Sequence, residues 1–468
     1  MVDRKPRNIS ELIESGYEVK TVKQELRKNL IEKMKQGVEL FPGIIGYDDS
    51  VIPQLENAVL SGQDIIFLGE RGQAKSRLIR NLVNLLDEEI PVIAGCEIND
   101  NPFKPICRAC RERIDDQGEK TEIAWLKRQY RYGEKLATPD ITIADLIGEV
   151  DPIRVAQGRY LSDELTIHYG LIPRTNRGIF CINELPDLAE RIQVGLFNIM
   201  EERDVQIKGY KVRLPLDTYL VASANPEDYT NRGRIVTPLK DRYGALIRTH
   251  YPETLDYEIE IMERERRSME EGDYRVLVMQ FMKEILAEFT TLARRSGDIN
   301  QRSGVSVRVS IANYETLISN AIRRAIRLGE LEASPRISDL PYIEASTRGK
   351  IEVEALEDSR ADRLFEELIN KAVLRVFNRR FKVDEFQSLV QAFRDGLTLE
   401  TSDTLPSSEY GRWLQEIDGL GYGALKLDTP NSDAALASAI EFVLEGLHLN
   451  RALNKDKVKG KSRYRGSS

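Results

Sequence analysis

The apolar run DIIFLG (64–69) passes straight into GERGQAKS (69–76) and then into KSRLIRNLVNLLDEE (75–89). The run predicts a buried strand, and the spacing of apolar residues after it predicts an amphipathic helix. Between them lies a loop one residue away from G-x-x-x-x-G-K-[ST], with alanine where the pattern asks for its second glycine. Such a loop turns backbone N–H groups toward phosphates, and Cβ atoms crowd that approach. A lysine adds a point charge near the outer phosphates, and a hydroxyl ligates magnesium. Gly69, Gly72, Lys75 and Ser76 fill these roles, and Ala74 adds a single methyl.

Further apolar runs at IPVIAG, GIFCIN and TYLVASAN are separated by helical or irregular segments. Strands alternating with helices predict an α/β domain with a mainly parallel sheet between helix layers. In RGIFCINELPDL the strand ends in Asn183–Glu184, where a magnesium-binding strand of this type normally ends in Asp-Glu. Glu184 is the candidate general base. Asn183 offers a carbonyl oxygen to magnesium through water but lacks the negative charge. The strand in DTYLVASANPEDY ends in Asn225, an amide suited to orienting water against a terminal phosphate.

From residue 253 onward, long charged amphipathic stretches predict an all-α lid (253–335) and a C-terminal helical extension (336–458). The basic, non-periodic end (459–468) is expected to be disordered, and residues 1–37 to form an N-terminal helical segment. A chain of 468 residues exceeds one compact core. Its net charge of -8 disfavours a dedicated nucleic-acid binder. No apolar stretch is long enough for a membrane span and no secretory signal is evident, so the expected compartment is the cytoplasm. An insertion expected at about 96–137 holds Cys96, Cys107 and Cys110, three thiols without a nearby fourth ligand against the four of a structural zinc site. They are expected to be reduced and metal-free, and His168 and His250 to be packing or surface residues.

Taken in order, FPGIIGYDD, GERGQAKS, TIADLIGEVDP, GLIPRTNRGIFCINELPDL, QVGLFNIMEERDVQIKGYKVRLP, LVASANPEDY, TPLKDRYG and GVSVRVS resemble the AAA+ ATPases. Within them they resemble the branch of the MoxR proteins and the magnesium chelatase ATPase subunit. The resemblance covers residues 38 to 325, and MoxR-type phosphate loops often carry alanine before the lysine. It implies a P-loop core over 38–252 that binds ATP and Mg2+. Ile44 and Gly46 would lie beside the adenine, with Gly69, Gly72, Gln73, Ala74, Lys75, Ser76 and Arg77 around the phosphates. Magnesium would be held by Ser76 and, through water, by Asn183. Glu184 would be the catalytic acid/base, Asn225 the first sensor, Arg242 the arginine finger reaching a neighbouring subunit, and Arg308 the second sensor. An arginine finger in trans implies a homo-oligomer, commonly a hexameric ring. Residues 205–216 and the segment IADLIGEVDPIRVAQGRY would form hairpins lining its pore or facing a partner. The implied function is an ATP-driven ring motor acting on a protein partner, often a von Willebrand factor A-domain protein. Two alternatives stand beside it: the ATPase subunit of a magnesium chelatase, and a nucleotide-gated binding module with little hydrolysis, to which Asn183 gives weight.

Overall fold

The apolar runs form strands, and five strands lie side by side in one parallel sheet: β1 (Ile65–Leu68), β2 (Tyr132–Leu136), β3 (Gly178–Asn183), β4 (Thr218–Ala224) and β5 (Ala245–Arg248). Their spatial order is β5-β1-β4-β3-β2. The structure is a computed structural model that describes residues 5–151, 153, 164–196, 199–200, 204–206, 213–226, 234–267, 274–300, 304–352, 358–417, 419–458 and 461–467.

Successive side chains on a strand point to opposite faces. Ile65, Phe67, Ile179, Cys181, Tyr219 and Val221 therefore enter one apolar layer, with the helices Val22–Gln36, Val51–Leu60 and Lys75–Asn81. Ile66, Phe180, Ile182, Leu220 and Ala222 enter the other, with Ile192, Leu196 and Leu239. Cover on both faces is why these strands read as unbroken apolar runs and not as alternating ones. The connection out of β1 runs toward β2 at one edge and the connection out of its neighbour β4 runs toward β5 at the other, so the two leave adjacent strands in opposite directions. Ligands of open parallel sheets bind at such a switch point, beyond the carboxyl ends of the strands.

The expected insertion is shifted. It runs between the helix after β1 and β2 as an antiparallel pair, Glu89–Ile93 with Ile123–Lys127, and the helix Arg108–Gln117. Residues 132–136, expected inside it, form the edge strand of the core sheet, where half-exposed Glu134 and Lys135 break the apolar signal. The N-terminal segment is likewise no separate body: Val22, Leu26 and Leu30 pack into the sheet's helix layer. Thr21 and Gln24 close a reciprocal cap at the start of that helix, and left-handed Gly37 ends it. Two antiparallel strand pairs stand where hairpins were expected, Gly148–Val150 with Ile167–Tyr169 and Asp204–Gln206 with Arg213–Pro215. Their tips at 154–163 and 207–212 lie outside the described residues.

Residues 251–468 form a second compact unit. One apolar core runs from Ile259 to Tyr464, so no boundary falls at residue 335 between lid and extension. Buried Arg336 ties the two parts, donating to the Leu405 carbonyl at 2.8 Å and to Ser407 Oγ at 2.6 Å. The end expected to be disordered is a strand: Lys461–Gly466 pairs antiparallel with both Leu453–Val458 and Leu399–Thr401. Among the described residues, no helix is long and apolar enough to cross a membrane.

Candidate active site

The loop after β1 is held from behind by Gln73, whose Oε1 accepts from the Glu70 N–H at 2.9 Å and from Thr249 Oγ1 at 2.8 Å. A Cβ on Gly69 would sit 1.9 Å from Thr249 Oγ1 and 2.3 Å from Gln73 Oε1, so a side chain there would displace the contacts that hold the loop. The Tyr47 hydroxyl lies 3.0 Å from the Gln73 carbonyl and 2.7 Å from that of His250. Burial pushes its pKa up, so it stays protonated as a donor. His250 in turn meets Ser50 Oγ at 2.8 Å. Gly72 and Ala74 flank Gln73 with φ of 79° and 55°. This alternating backbone is the kind from which anion-binding nests are made. Ala74 costs about 1 kcal/mol of strain in that conformation.

Lys75 is buried at 7% exposure and donates to the carbonyl oxygens of Gly69 and Glu70 and, at 2.7 Å, to Asn225 Oδ1. Asn225 Nδ2 then donates to Glu184 Oε2 at 2.6 Å. A single amide at the end of β4 thus joins the loop lysine to the carboxylate at the end of β3. Glu184 leaves β3 with a φ of 54°, a conformation non-glycine residues rarely adopt, and its N–H donates to Ser223 Oγ at 3.2 Å.

Asn183 is fully engaged. Its Oδ1 accepts from Ser223 Oγ at 3.2 Å and from the Cys181 thiol at 3.4 Å, while Nδ2 donates to Glu134 Oε1. Burial pushes the Cys181 thiol up to about 12, so it remains a donor. The expected carbonyl for the magnesium shell therefore points into the protein, and a carboxylate from β2 stands beside it. Arg80, on the helix after the loop, donates to both Glu134 oxygens at 3.2 Å, and Tyr132 donates at 3.0 Å. Burial alone would raise the Glu134 carboxyl, but hydrogen bonds from Arg80 and Tyr132 and the Arg80 charge hold it below its usual value.

Lys75, Glu184, Asn183 and Asn225 converge in one network; Ser76 and Arg77 are exposed on the same loop-helix junction. Arg77 donates to the Gly43 carbonyl at 3.1 Å, tying this junction to the segment holding buried Ile44 and left-handed Gly46. Half-buried Arg242 ends the helix Thr237–Arg242 and donates to the Pro238 carbonyl at 2.7 Å. Arg308 is exposed in the first turn of Val307–Leu328, in the second unit. Glu134, Ser223 and Thr249 were not expected. Only sheet register brings Glu134 there, since it pairs with Cys181, two residues before Asn183.

No family model matches the chain. Over 297 residues it is 25% identical to the magnesium-chelatase subunit ChlI of Mesostigma viride, covering 61% of this chain and 77% of that protein. Over 262 residues it is 27% identical to chloroplastic ChlI of Nicotiana tabacum, covering 53% and 56%. The chain is therefore similar to the ChlI subunits of magnesium chelatase. It spans little more than half the length of the tobacco protein and of several other ChlI relatives. A BchI–BchD assembly of magnesium chelatase from cryo-electron microscopy is 21% identical to this chain, with a TM-score of 0.36, covering 70% of this chain and 98% of that one.

Proposed function

We propose that this chain is an AAA+ ATPase that hydrolyses magnesium-bound ATP at sites completed between subunits of a ring, and that the cycle remodels or activates a protein partner. The observation that carries this reading is Asn225, in hydrogen-bond contact with Lys75 on one side and Glu184 on the other. In this reading, Lys75 binds the outer phosphates and leaves Asn225 to orient a water toward Glu184, which takes its proton. Magnesium, when bound, neutralises charge building up on the β- and γ-phosphate oxygens. Ser76 would hold it directly, and Glu134 would supply through water the negative charge that Asn183 lacks. Arg242 would act on the neighbouring subunit's nucleotide, in a homo-oligomer that is commonly hexameric in this branch. The partner class we favour is a von Willebrand factor A-domain protein, in the cytoplasm; the magnesium chelatase relatives make a chelatase complex the second reading.

The test is magnesium-dependent ATP turnover across a range of chain concentrations. Turnover per chain should rise with concentration, and Arg242→Ala should lose it while still binding ATP. Wild-type chain that binds ATP but never turns it over, with and without candidate partners, would leave the nucleotide-gated module as the account. Glu134→Gln tests the relocated charge. It should raise the magnesium concentration needed for half-maximal turnover by about 10–100-fold, the usual effect of losing an outer-shell partner. Adding Asn183→Asp should restore most of that loss. An unchanged magnesium titration in Glu134→Gln would reduce Glu134 to an ion-pair partner of Arg80.

A further inference from the structure

The insertion between the helix after β1 and β2 supplies the fourth ligand that its three thiols lacked in sequence. Cys96, Asp100, Cys107 and Cys110 bring their Sγ and carboxylate oxygen atoms within 4.8 Å of one another. They arrive as two chelating pairs. Cys96 and Asp100 sit in the turn after the strand Glu89–Ile93, with three residues between them; Cys107 and Cys110 open the helix Arg108–Gln117, with two between them. Both spacings fall within those that let neighbouring residues grip one ion. Asp100, Cys107 and Cys110 are buried at 0%, 5% and 1% exposure.

A second observation points to a cation independently of the spacing. Asp100 Oδ2 accepts from the Cys107 N–H at 3.0 Å, but its Oδ1 is buried with no hydrogen-bond partner. A buried carboxylate oxygen left unsatisfied is costly, and a cation at the centre of the cluster satisfies it. Two backbone donors already face the sulfurs, Asp100 N–H toward Cys96 Sγ at 3.3 Å and Cys110 N–H toward Cys107 Sγ at 3.4 Å. Hydrogen bonds of this kind orient thiolate ligands and temper their charge.

We infer that Cys96, Asp100, Cys107 and Cys110 form a structural zinc site. Three sulfurs and one carboxylate oxygen are a donor set for zinc, not for magnesium or calcium, which take oxygen ligands. Ligands about 2.3 Å from a tetrahedral zinc lie about 3.5–4 Å from one another, in keeping with the spread of this cluster. The usual iron–sulfur clusters need four cysteines. All four zinc positions are taken by protein, so the ion is structural and not catalytic. Its mechanical role follows from what the turn touches. Between Cys96 and Asp100, the Ile98 carbonyl accepts from Asn176 Nδ2 at 3.0 Å and Asn99 Nδ2 donates to the Arg174 carbonyl at 2.9 Å. The ion thereby clamps the insertion onto the segment that leads into β3, the strand that ends in Asn183–Glu184.

The test is metal analysis of the full chain, purified under reducing conditions without a metal-binding tag. About one zinc per chain is expected, and the double variant Cys107→Ser/Cys110→Ser should retain none, while Cys181→Ser, in β3 and outside the cluster, should keep it. Cobalt(II) in place of zinc should give the visible bands of a tetrahedral thiolate site, a readout that does not require the cysteine variants to fold. Asp100→Ala should weaken cobalt binding and alter those bands. Wild-type chain that is metal-free as purified and takes up neither zinc nor cobalt on titration overturns the proposal, as does a disulfide among these cysteines under the same reducing conditions. Unchanged cobalt affinity and bands in Asp100→Ala would remove Asp100 from the ligand set and overturn the site as assigned.

Discussion

Glu184→Gln should lower ATP turnover by about 10²–10⁴-fold, the range for loss of a positioned general base, while leaving nucleotide affinity close to wild type. Glutamine keeps a side-chain oxygen that accepts the hydrogen bond Asn225 Nδ2 now gives to Glu184 Oε2. The loop, Lys75 and the fold are therefore spared, and only the capacity to take a proton from water is removed. Asn225→Ala makes the complementary change. The carboxylate survives without the amide that links it to Lys75, so turnover should fall less than in Glu184→Gln, again with ATP bound. Steady-state phosphate release and equilibrium binding of a fluorescent ATP analogue, run on both variants, separate the two effects. Wild-type turnover in Glu184→Gln would remove Glu184 from the chemistry and leave the water without an identified base.

Arg131→Ala should destabilise the α/β unit by about 3–5 kcal/mol, the range for breaking a buried ion pair from one side. Arg131 is 1% exposed and grips Glu25 through two bonds of 2.7 Å and 2.6 Å, and its Nε donates to the Arg177 carbonyl at 2.8 Å. Glu25 comes from the N-terminal helix Val22–Gln36, and its Oε1 also accepts from the Asp87 N–H at 2.6 Å. Losing the guanidinium strands a buried carboxylate in the packing between that helix and the insertion. The double variant Glu25→Leu/Arg131→Met should recover part of the loss, because apolar groups of similar volume often replace a buried pair at little cost. Recovery stays partial, since the Asp87 N–H and Arg177 carbonyl lose their partners, at about 1–3 kcal/mol each. The chain has two tryptophans, Trp125 in the first unit and Trp413 in the second. In a Trp413→Phe background, urea unfolding followed by fluorescence reports the first unit alone. A midpoint unmoved by Arg131→Ala would mean the pair contributes nothing net.

The elements of the candidate site were readable because each is local. An apolar run, a glycine-bearing loop and an amphipathic helix are adjacent in the chain, so Lys75 and Ser76 declare themselves, and Glu184 and Asn225 stand at the ends of equally plain strands. Glu134 was hidden because its meaning lies in the register of an edge strand that carries too much charge to look like one. Asp100 was hidden for a related reason: in sequence it is one aspartate among many, and only the turn at residues 94–100 folds it back onto the thiols. The strand at 461–466 has a single buried apolar side chain, Tyr464, too thin a pattern to separate it from a disordered basic tail. Arg308 was assigned by resemblance alone, and its exposed place in the second unit adds no contact to that assignment.

That last strand changes what trimming the protein would mean. Glu445 is 3% exposed and is met by Lys455 at 2.7 Å and by the Tyr464 hydroxyl, both from the final strand pair. A protease cutting after residue 452 would remove two strands of a three-stranded sheet and abandon that carboxylate inside the unit. Backbone amides across the pair should accordingly exchange with deuterium as slowly as those of the helix Asp433–Leu449 on which it rests. What reads as a loose basic end is a latch, and loss of those few residues should mark the whole second unit for degradation.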